Sequence, residues 1–141
     1  MLARLVWLEA RGEDDAGQQA VVQVVLNRLE SGRWGDTLHD VVFAPGQFTP
    51  AASIPKVRPT EKEYRNVQAV FDETEPCLPP WVMYFARGKH RWVGYVEFVR
   101  IGNHQFGGFM ADQRAYEAEL ALLAISDELV TKGLFPAPVL E

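Results

Sequence analysis

Apolar residues in the first thirty positions recur at helical spacing in two runs. Leu2, Leu5 and Glu9 fall at i, i+3 and i+7 with Val6 alongside. That spacing predicts a helix from Leu2 to Arg11, with Gly12 as its C-cap. A second helix begins after Asp14-Asp15, where Asp15 and Gln18 have the spacing of a capping box. Its apolar face is Ala20, Val21, Val24, Val25 and Leu29, and it ends near Ser31-Gly32. Asn27 borders that face and needs hydrogen-bond partners there, either as a structural brace or as part of a site.

Periodicity is lost from Trp34 to Pro59, where Gly35, Pro45, Gly46, Pro50, Pro55 and Pro59 exclude long regular elements. Only Leu38 to Phe43 suits a helical turn, and Val41, Val42, Phe43 and Phe48 point to an ordered, packed loop. Thr60 and Glu63 form a further capping box, opening a helix whose buried face is expected to be Tyr64, Val67, Val70 and Phe71. Trp81 to Ala86 and Trp92 to Ile101 are β-branched and aromatic, and Arg87-Gly88-Lys89-His90 separates them as a hairpin turn. In the second of these strands Val93, Tyr95, Glu97, Val99 and Ile101 are expected on one face, with Trp92, Val96 and Phe98 on the other. Gly102 to Phe109 reads as a Gly-rich turn. Asp112 is expected to cap a last helix carrying Leu120, Leu123 and Ala124, stopped at Lys132-Gly133, before an extended tail FPAPVLE. With no internal repeat and no low-complexity segment, residues 1–141 are read as one domain.

Composition narrows the classes. Hydrophobic content of 48% against 23% charged residues suits a globular core, and no segment reaches transmembrane length, so membrane insertion is not expected. Met1 to Leu8 is short, interrupted by Arg4 and lacks a small-residue cleavage site, so no export signal is expected. Cys77 stands alone, which excludes an intrachain disulfide. A net charge of −5 argues against nucleic acid and anionic membranes as partners. Yet Arg87, Lys89, Arg91 and Arg100 face only Glu97 between Tyr84 and Phe106. That basic stretch is either a solvated hairpin or a surface for an anionic polymer.

The candidate chemistry is found partly by elimination. His39, His90 and His104 are scattered, with no metal-ligand spacing, and no phosphate-cradling or nucleophile-elbow motif is present. No metal and no cofactor are therefore expected. Carboxylates remain. Glu9 lies on an apolar stripe one turn from a helix end, where lost water and the negative end of the helix dipole both favour its protonated form. A general acid needs that state near neutral pH. The alternative is a solvated Glu at the edge of the stripe. Glu13 lies beyond Gly12, as a structural or substrate-binding loop residue, so the pair does not suggest a two-carboxylate glycosidase.

Four blocks then stand in order: EARGE (Glu9 to Glu13), GQQAVVQVVLNR (Gly17 to Arg28), PGQFTP (Pro45 to Pro50) and IGNHQF (Ile101 to Phe106). Together they resemble the SleB-type cell-wall hydrolases, which include spore-cortex-lytic enzymes and similar phage lysins. The resemblance implies a lysozyme-like α+β fold, mostly helical with a small antiparallel β-hairpin or sheet. It also implies cleavage of peptidoglycan glycan strands between N-acetylmuramic acid and N-acetylglucosamine by a lytic transglycosylase, with Glu9 as the single acid/base. Glu13, Gln47, Phe48, Tyr84, Asn103 and His104 are the implied substrate-binding residues. Of these, Phe48 could instead be core and His104 a structural histidine, and Trp92 and Tyr95 are open between core and sugar stacking. A monomer is expected, as a phage endolysin held in the host cytoplasm before release or carried on a virion. The competing readings are an N-acetylmuramoyl-L-alanine amidase and a non-catalytic peptidoglycan-binding or virion module. No separate wall-binding module is expected, and the chain departs from the family in the glycines of Phe106-Gly107-Gly108, where bulkier residues are expected to wall the cleft. No motif is found in Asp112 to Glu141.

Overall fold

In a computed structural model, residues 1–133 are described, the side chains of residues 49–51 excepted. The expected extended tail therefore lies outside the described residues. In chain order the elements are α1 (Leu2–Ala10), α2 (Asp15–Ser31), α3 (Leu38–Val42), a 3-10 segment (Thr49–Lys56), α4 (Glu61–Asp72), β1 (Tyr84–Ala86), β2 (Tyr95–Ile101), β3 (His104–Phe109) and α5 (Met110–Thr131). This is an α+β fold of helices and one small antiparallel sheet. No described helix is long and apolar enough to cross a membrane.

The run VVQVVL makes α2 apolar on more than one side, and such a helix is stable only when surrounded. Val21, Val22, Val24 and Val25 have no exposed surface, and they pack with Leu5 and Val6 of α1, Val41 and Val42 of α3 and Phe106 of β3. Each such side chain contributes about 1.5–3 kcal/mol on burial, so α2 is the axis of the core. Asp14, not Asp15, caps α2, its carboxylate accepting the Gly17 N–H. Gln18 closes no capping box, since its side-chain amide donates to the Ala10 carbonyl and to Glu63. At the other end Gly32 adopts φ +72°, the left-handed turn that a glycine C-cap supplies. Gly12 makes no such turn: α1 closes at Arg11 in ordinary helical conformation, with the Glu13 N–H bonded to the Ala10 carbonyl.

The capping box of α4 is present, but its buried face is polar rather than aromatic. Tyr64 and Phe71 are exposed, whereas Glu63, Asn66 and Val70 are buried. The reason is a side-chain network against α2. Gln18 donates to Glu63 (2.9 Å), Asn66 donates to Gln18 (2.8 Å) and Asp15 (3.0 Å), and Gln19 donates to Asn66 (3.0 Å). Burial pushes the Glu63 carboxyl up, but hydrogen bonds from Gln18 and Thr60 outweigh it and hold the group below its ordinary value.

The sheet departs most from expectation. The strands containing Tyr84 and Tyr95 do not pair with each other; β3 lies between them, in the order β1-β3-β2. The hairpin joins β2 to β3, and its turn is Gly102-Asn103, between the paired residues Ile101 and His104. The segment read as a Gly-rich turn is thus the central strand. An irregularity between Glu97 and Val99 also breaks the side-chain alternation. Val96 on one side of it, and Val99 and Ile101 on the other, all pack against the core. Tyr95 and Glu97 are left on the opposite face from Val99 and Ile101.

The glycines of β3 have a packing cause. A Cβ on Gly107 would overlap the Val96 carbonyl and the Tyr95 ring, and one on Gly108 would overlap the Trp81 carbonyl. Finally, Asp112 does not cap α5; it forms a bidentate ion pair with Arg33 (2.5 and 2.8 Å), and Phe109 precedes the helix. Leu120 and Leu123 are exposed along α5. Replacing Gly107 by Ala is expected to destabilise the protein by about 1–3 kcal/mol, because neither the Val96 backbone nor the Tyr95 ring can retreat cheaply. Thermal denaturation followed by circular dichroism measures the loss.

Candidate active site

Glu9 sits in the last turn of α1, half-buried, on the side facing α2. Burial raises its carboxyl above the ordinary value, while the cations Arg28 and Arg87 pull in the opposite direction and do not cancel it. The sequence reading did not single out Arg28, yet this side chain organises the site. It follows Val21, Val24 and Val25 at i+7, i+4 and i+3, so it lies on the same buried stripe. A cation in register with a valine run was the available signal.

Burying a guanidinium costs several kcal/mol unless its donors and charge are met. Here Arg28 Nε donates to the Met83 carbonyl (2.7 Å) and Nη1 to Gln47 Oε1 (3.2 Å). Its guanidinium carbon lies 4.6 Å from the centre of the Trp34 ring, 4.7 Å from Phe48 and 5.1 Å from Tyr84. Burial pushes its pKa down to about 10, against the pull of Tyr84 and Glu9, which leaves it charged at neutral pH. Four of the expected site residues, Glu9, Gln47, Phe48 and Tyr84, therefore gather round one buried cation. Phe48 is itself 5% exposed and belongs to the core. Asn27, one residue before Arg28, braces rather than lines the site, donating to the Pro79 and Val82 carbonyls (both 2.9 Å).

Glu13, Asn103 and His104 form a second group at the β2–β3 turn. Glu13 is 5% exposed, and its carboxylate accepts the Asn103 backbone N–H at 3.2 and 3.4 Å. Its own carbonyl accepts from Lys62. Gly102, at φ +58°, lies so close that a Cβ there would overlap the Glu13 carboxylate. Glu13 thus ties the α1–α2 turn to the sheet. His104 Nδ1 lies 3.2 Å from Glu13 Oε1 without the alignment of a hydrogen bond. Burial holds this imidazole below its ordinary value despite Glu13, with Arg87 acting in the same direction as burial. The Asn103 residue itself is exposed. Arg87 acts electrostatically on both Glu9 and His104.

Among the described residues, no three His, Cys, Asp or Glu side chains gather as a metal-ligand set. The arrangement offers a carboxyl with an elevated pKa, a fixed cation beside it and aromatic faces around it.

Residues 12–107 match the family model described as Cell Wall Hydrolase. The chain belongs to this family. The match begins at Gly12, so Glu13 lies within it and Glu9 just before it. The chain is similar to the spore cortex-lytic enzymes of Halalkalibacterium halodurans, 46% identical over 111 residues, and of Bacillus subtilis, 44% identical over 110 residues. Each match covers 75% of this chain but only 33% and 36% of those relatives, so the chain spans about a third of their length. Among solved structures it is similar to the catalytic domain of the germination-specific lytic transglycosylase SleB from Bacillus anthracis. That likeness has a TM-score of 0.65 and 28% identity, and covers 75% of this chain and 89% of that one. The SleB catalytic domain of Bacillus cereus gives a TM-score of 0.63, also at 28% identity, with 75% and 85% covered. The lysozyme-like fold expected for this cell wall hydrolase is therefore present, and α5 lies beyond the family match.

Two outcomes follow from the electrostatics. Arg28→Lys keeps the charge but loses the planar fork and its stacking, and is expected to cost about 1–3 kcal/mol in a chemical denaturation experiment. Arg87 is exposed, so Arg87→Met should leave the fold intact while removing a cation that lowers the Glu9 pKa. As the expected general acid, Glu9 would work only while protonated, so activity is expected to fall as pH rises through that pKa. In Arg87→Met the alkaline limb of kcat/KM is expected to move to higher pH, with the shift shrinking in high salt.

Proposed function

We propose that the protein degrades peptidoglycan as a lytic transglycosylase, cutting between N-acetylmuramic acid and N-acetylglucosamine with Glu9 as its single acid/base. The observation that carries this reading is a half-open carboxyl raised by burial beside a buried cation. Membership of the cell wall hydrolase family supports the substrate, and similarity to a domain described as a lytic transglycosylase supports the reaction.

Glu9 is chosen over Glu13 on accessibility. Glu13 is almost wholly buried and its carboxylate is engaged by protein, which leaves no route for a glycosidic oxygen. In the first step the protonated Glu9 gives its proton to the glycosidic oxygen as the bond from C1 of the muramoyl ring breaks. The N-acetylglucosamine side leaves as an alcohol, and positive charge develops at C1 and the ring oxygen. In the second step the Glu9 carboxylate takes the proton of the muramoyl C6 hydroxyl, and O6 bonds to C1. A 1,6-anhydro ring forms, no water is consumed and Glu9 ends protonated again. General acid catalysis contributes about 10²–10⁴-fold, so sugar positioning must supply the rest.

Accordingly, Glu9→Gln should keep its circular dichroism spectrum and lose at least about 10²-fold in the rate of clearing purified sacculi. Mass spectrometry of the soluble fragments made by the unaltered chain should show 1,6-anhydromuramoyl ends. Reducing muramic acid ends would mean a hydrolytic muramidase, and free stem peptides an amidase. Undiminished lysis by Glu9→Gln would remove Glu9 from the mechanism.

A further inference from the structure

The outer face of the sheet carries a pocket that the Glu9–Arg28 group does not use. It has a volume of about 240 Å³ and is lined by Lys89, His90, Tyr95, Glu97 and Gln105. Three features of the chain build it. Gly107 leaves room for the Tyr95 ring to lie across β3. The Tyr95 hydroxyl then donates to Gln105 Oε1 at 2.6 Å, which fixes the amide of a side chain with no exposed surface. His90 is held above them, stacked on Trp92 at 4.2 Å and edge-on to Tyr95 at 4.7 Å.

This arrangement leaves two polar atoms buried without a partner: Gln105 Nε2 and His90 Nε2. Buried polar groups are rarely left so, and each costs about 1–3 kcal/mol while unmet. Their chemistry is complementary. Gln105 Nε2 is a donor. The Phe85 backbone hydrogen-bonds the His90 ring and favours its protonated form, but burial outweighs it and keeps the imidazole neutral. A neutral imidazole keeps one nitrogen with a free lone pair, and in the tautomer protonated at Nδ1 that nitrogen is Nε2, an acceptor. One donor and one acceptor in an aromatic-walled pocket match a secondary amide, whose carbonyl accepts, whose N–H donates and whose alkyl part packs on rings.

We propose that this pocket binds a secondary amide of the peptidoglycan strand, through Gln105 and His90, and is a recognition subsite beside the cleft. The inference rests on the proposed peptidoglycan substrate. Such groups occur as the N-acetyl substituents of the sugars and in the stem peptide. A chain of aromatic contacts links the pocket to the Glu9–Arg28 group. Tyr84 touches both Trp92 (ring centres 5.6 Å apart) and Tyr95 (6.5 Å), and it also stacks on Arg28 beside Glu9. An occupant here would set which ring of the strand lies over the acid.

Binding is tested without turnover, by following backbone amide resonances of the whole chain during titration. The probes are N-acetylchitotriose, the same trisaccharide without its acetyl groups, and a synthetic stem tripeptide. Resonances of Lys89, His90 and Gln105 are expected to move with the acetylated sugar and not with the de-acetylated one. Movement with the tripeptide alone would assign the amide to the stem peptide instead. His90→Phe, on the hairpin surface, and Gln105→Met should each weaken the acetylated sugar about tenfold, the worth of roughly one hydrogen bond. Silence of this pocket towards all three probes, or equal response to both sugars, overturns the proposal. A chain that binds here yet never makes anhydro ends would sink the reaction proposed above and leave the pocket standing. Sacculus lysis with a silent pocket would do the reverse.

Discussion

A guanidinium inside a protein has to be met on every side, and Arg28 is met by parts of the chain far apart in sequence. Its Nε needs the Met83 carbonyl at the start of the sheet, and its Nη1 needs Gln47 in the proline-rich loop. Its faces are covered by Trp34, Phe48 and Tyr84. If any one of these were displaced, a charge carrying a penalty of several kcal/mol would be left partly unpaired. The stretch from Trp34 to Pro59 holds only α3 and the 3-10 segment as regular structure, and meeting Arg28 ties Trp34, Gln47 and Phe48 of this stretch to the core. The aromatic rings around Arg28 are therefore also the means by which the fold tolerates a charge at its centre.

The second constraint is the carboxylate of Glu13. It reaches from the α1–α2 turn to the backbone of Asn103, and the space it occupies excludes any side chain at Gly102. This contact joins the helical half of the molecule to the β2–β3 hairpin. Since Glu9 lies in the last turn of α1 and Glu13 in the turn that follows, fixing Glu13 also limits how far Glu9 can drift from the sheet. The two glutamates of EARGE differ in this respect: Glu9 is left half-open, and Glu13 is spent on holding the strands in place.

The helices were legible because each carries a strong local signal. The valine run marks α2, the Thr60–Glu63 capping box marks the start of α4, and Gly32 marks a helix end. The sheet was misread because its pairing is non-local. The aromatic runs at Trp81 and Trp92 look like adjacent hairpin strands, and nothing in either shows that a Gly-rich segment will slide between them. Glycines suggest a turn when read locally, but here they are needed because Trp81 and Tyr95 press against β3 from neighbouring segments. Tyr64 and Phe71 failed as core residues for a related reason. Apolar periodicity assigns the buried face of a helix only when its neighbour is apolar, and α4 meets α2 through glutamines and an asparagine. In the candidate site, the raised pKa of Glu9 was readable from its stripe, whereas Arg28 was hidden by the habit of treating arginine as surface.

The opposition between burial and cation at Glu9 matters for a reaction that uses one carboxyl twice. A group raised by burial alone would be a ready acid in form but slow to exist as the carboxylate that the second step needs. A group dominated by Arg28 and Arg87 would stay ionised and have no proton for the glycosidic oxygen. Catalysis in both directions is served by a pKa moved towards the working pH and not past it. Burial and the two arginines act in opposite directions here, with burial the larger. The same arginine that steadies the site thus limits how far its acid is raised. In the proposed reaction, a buried charge that looks costly for folding alone would be accounted for by the chemistry it allows one glutamate to perform.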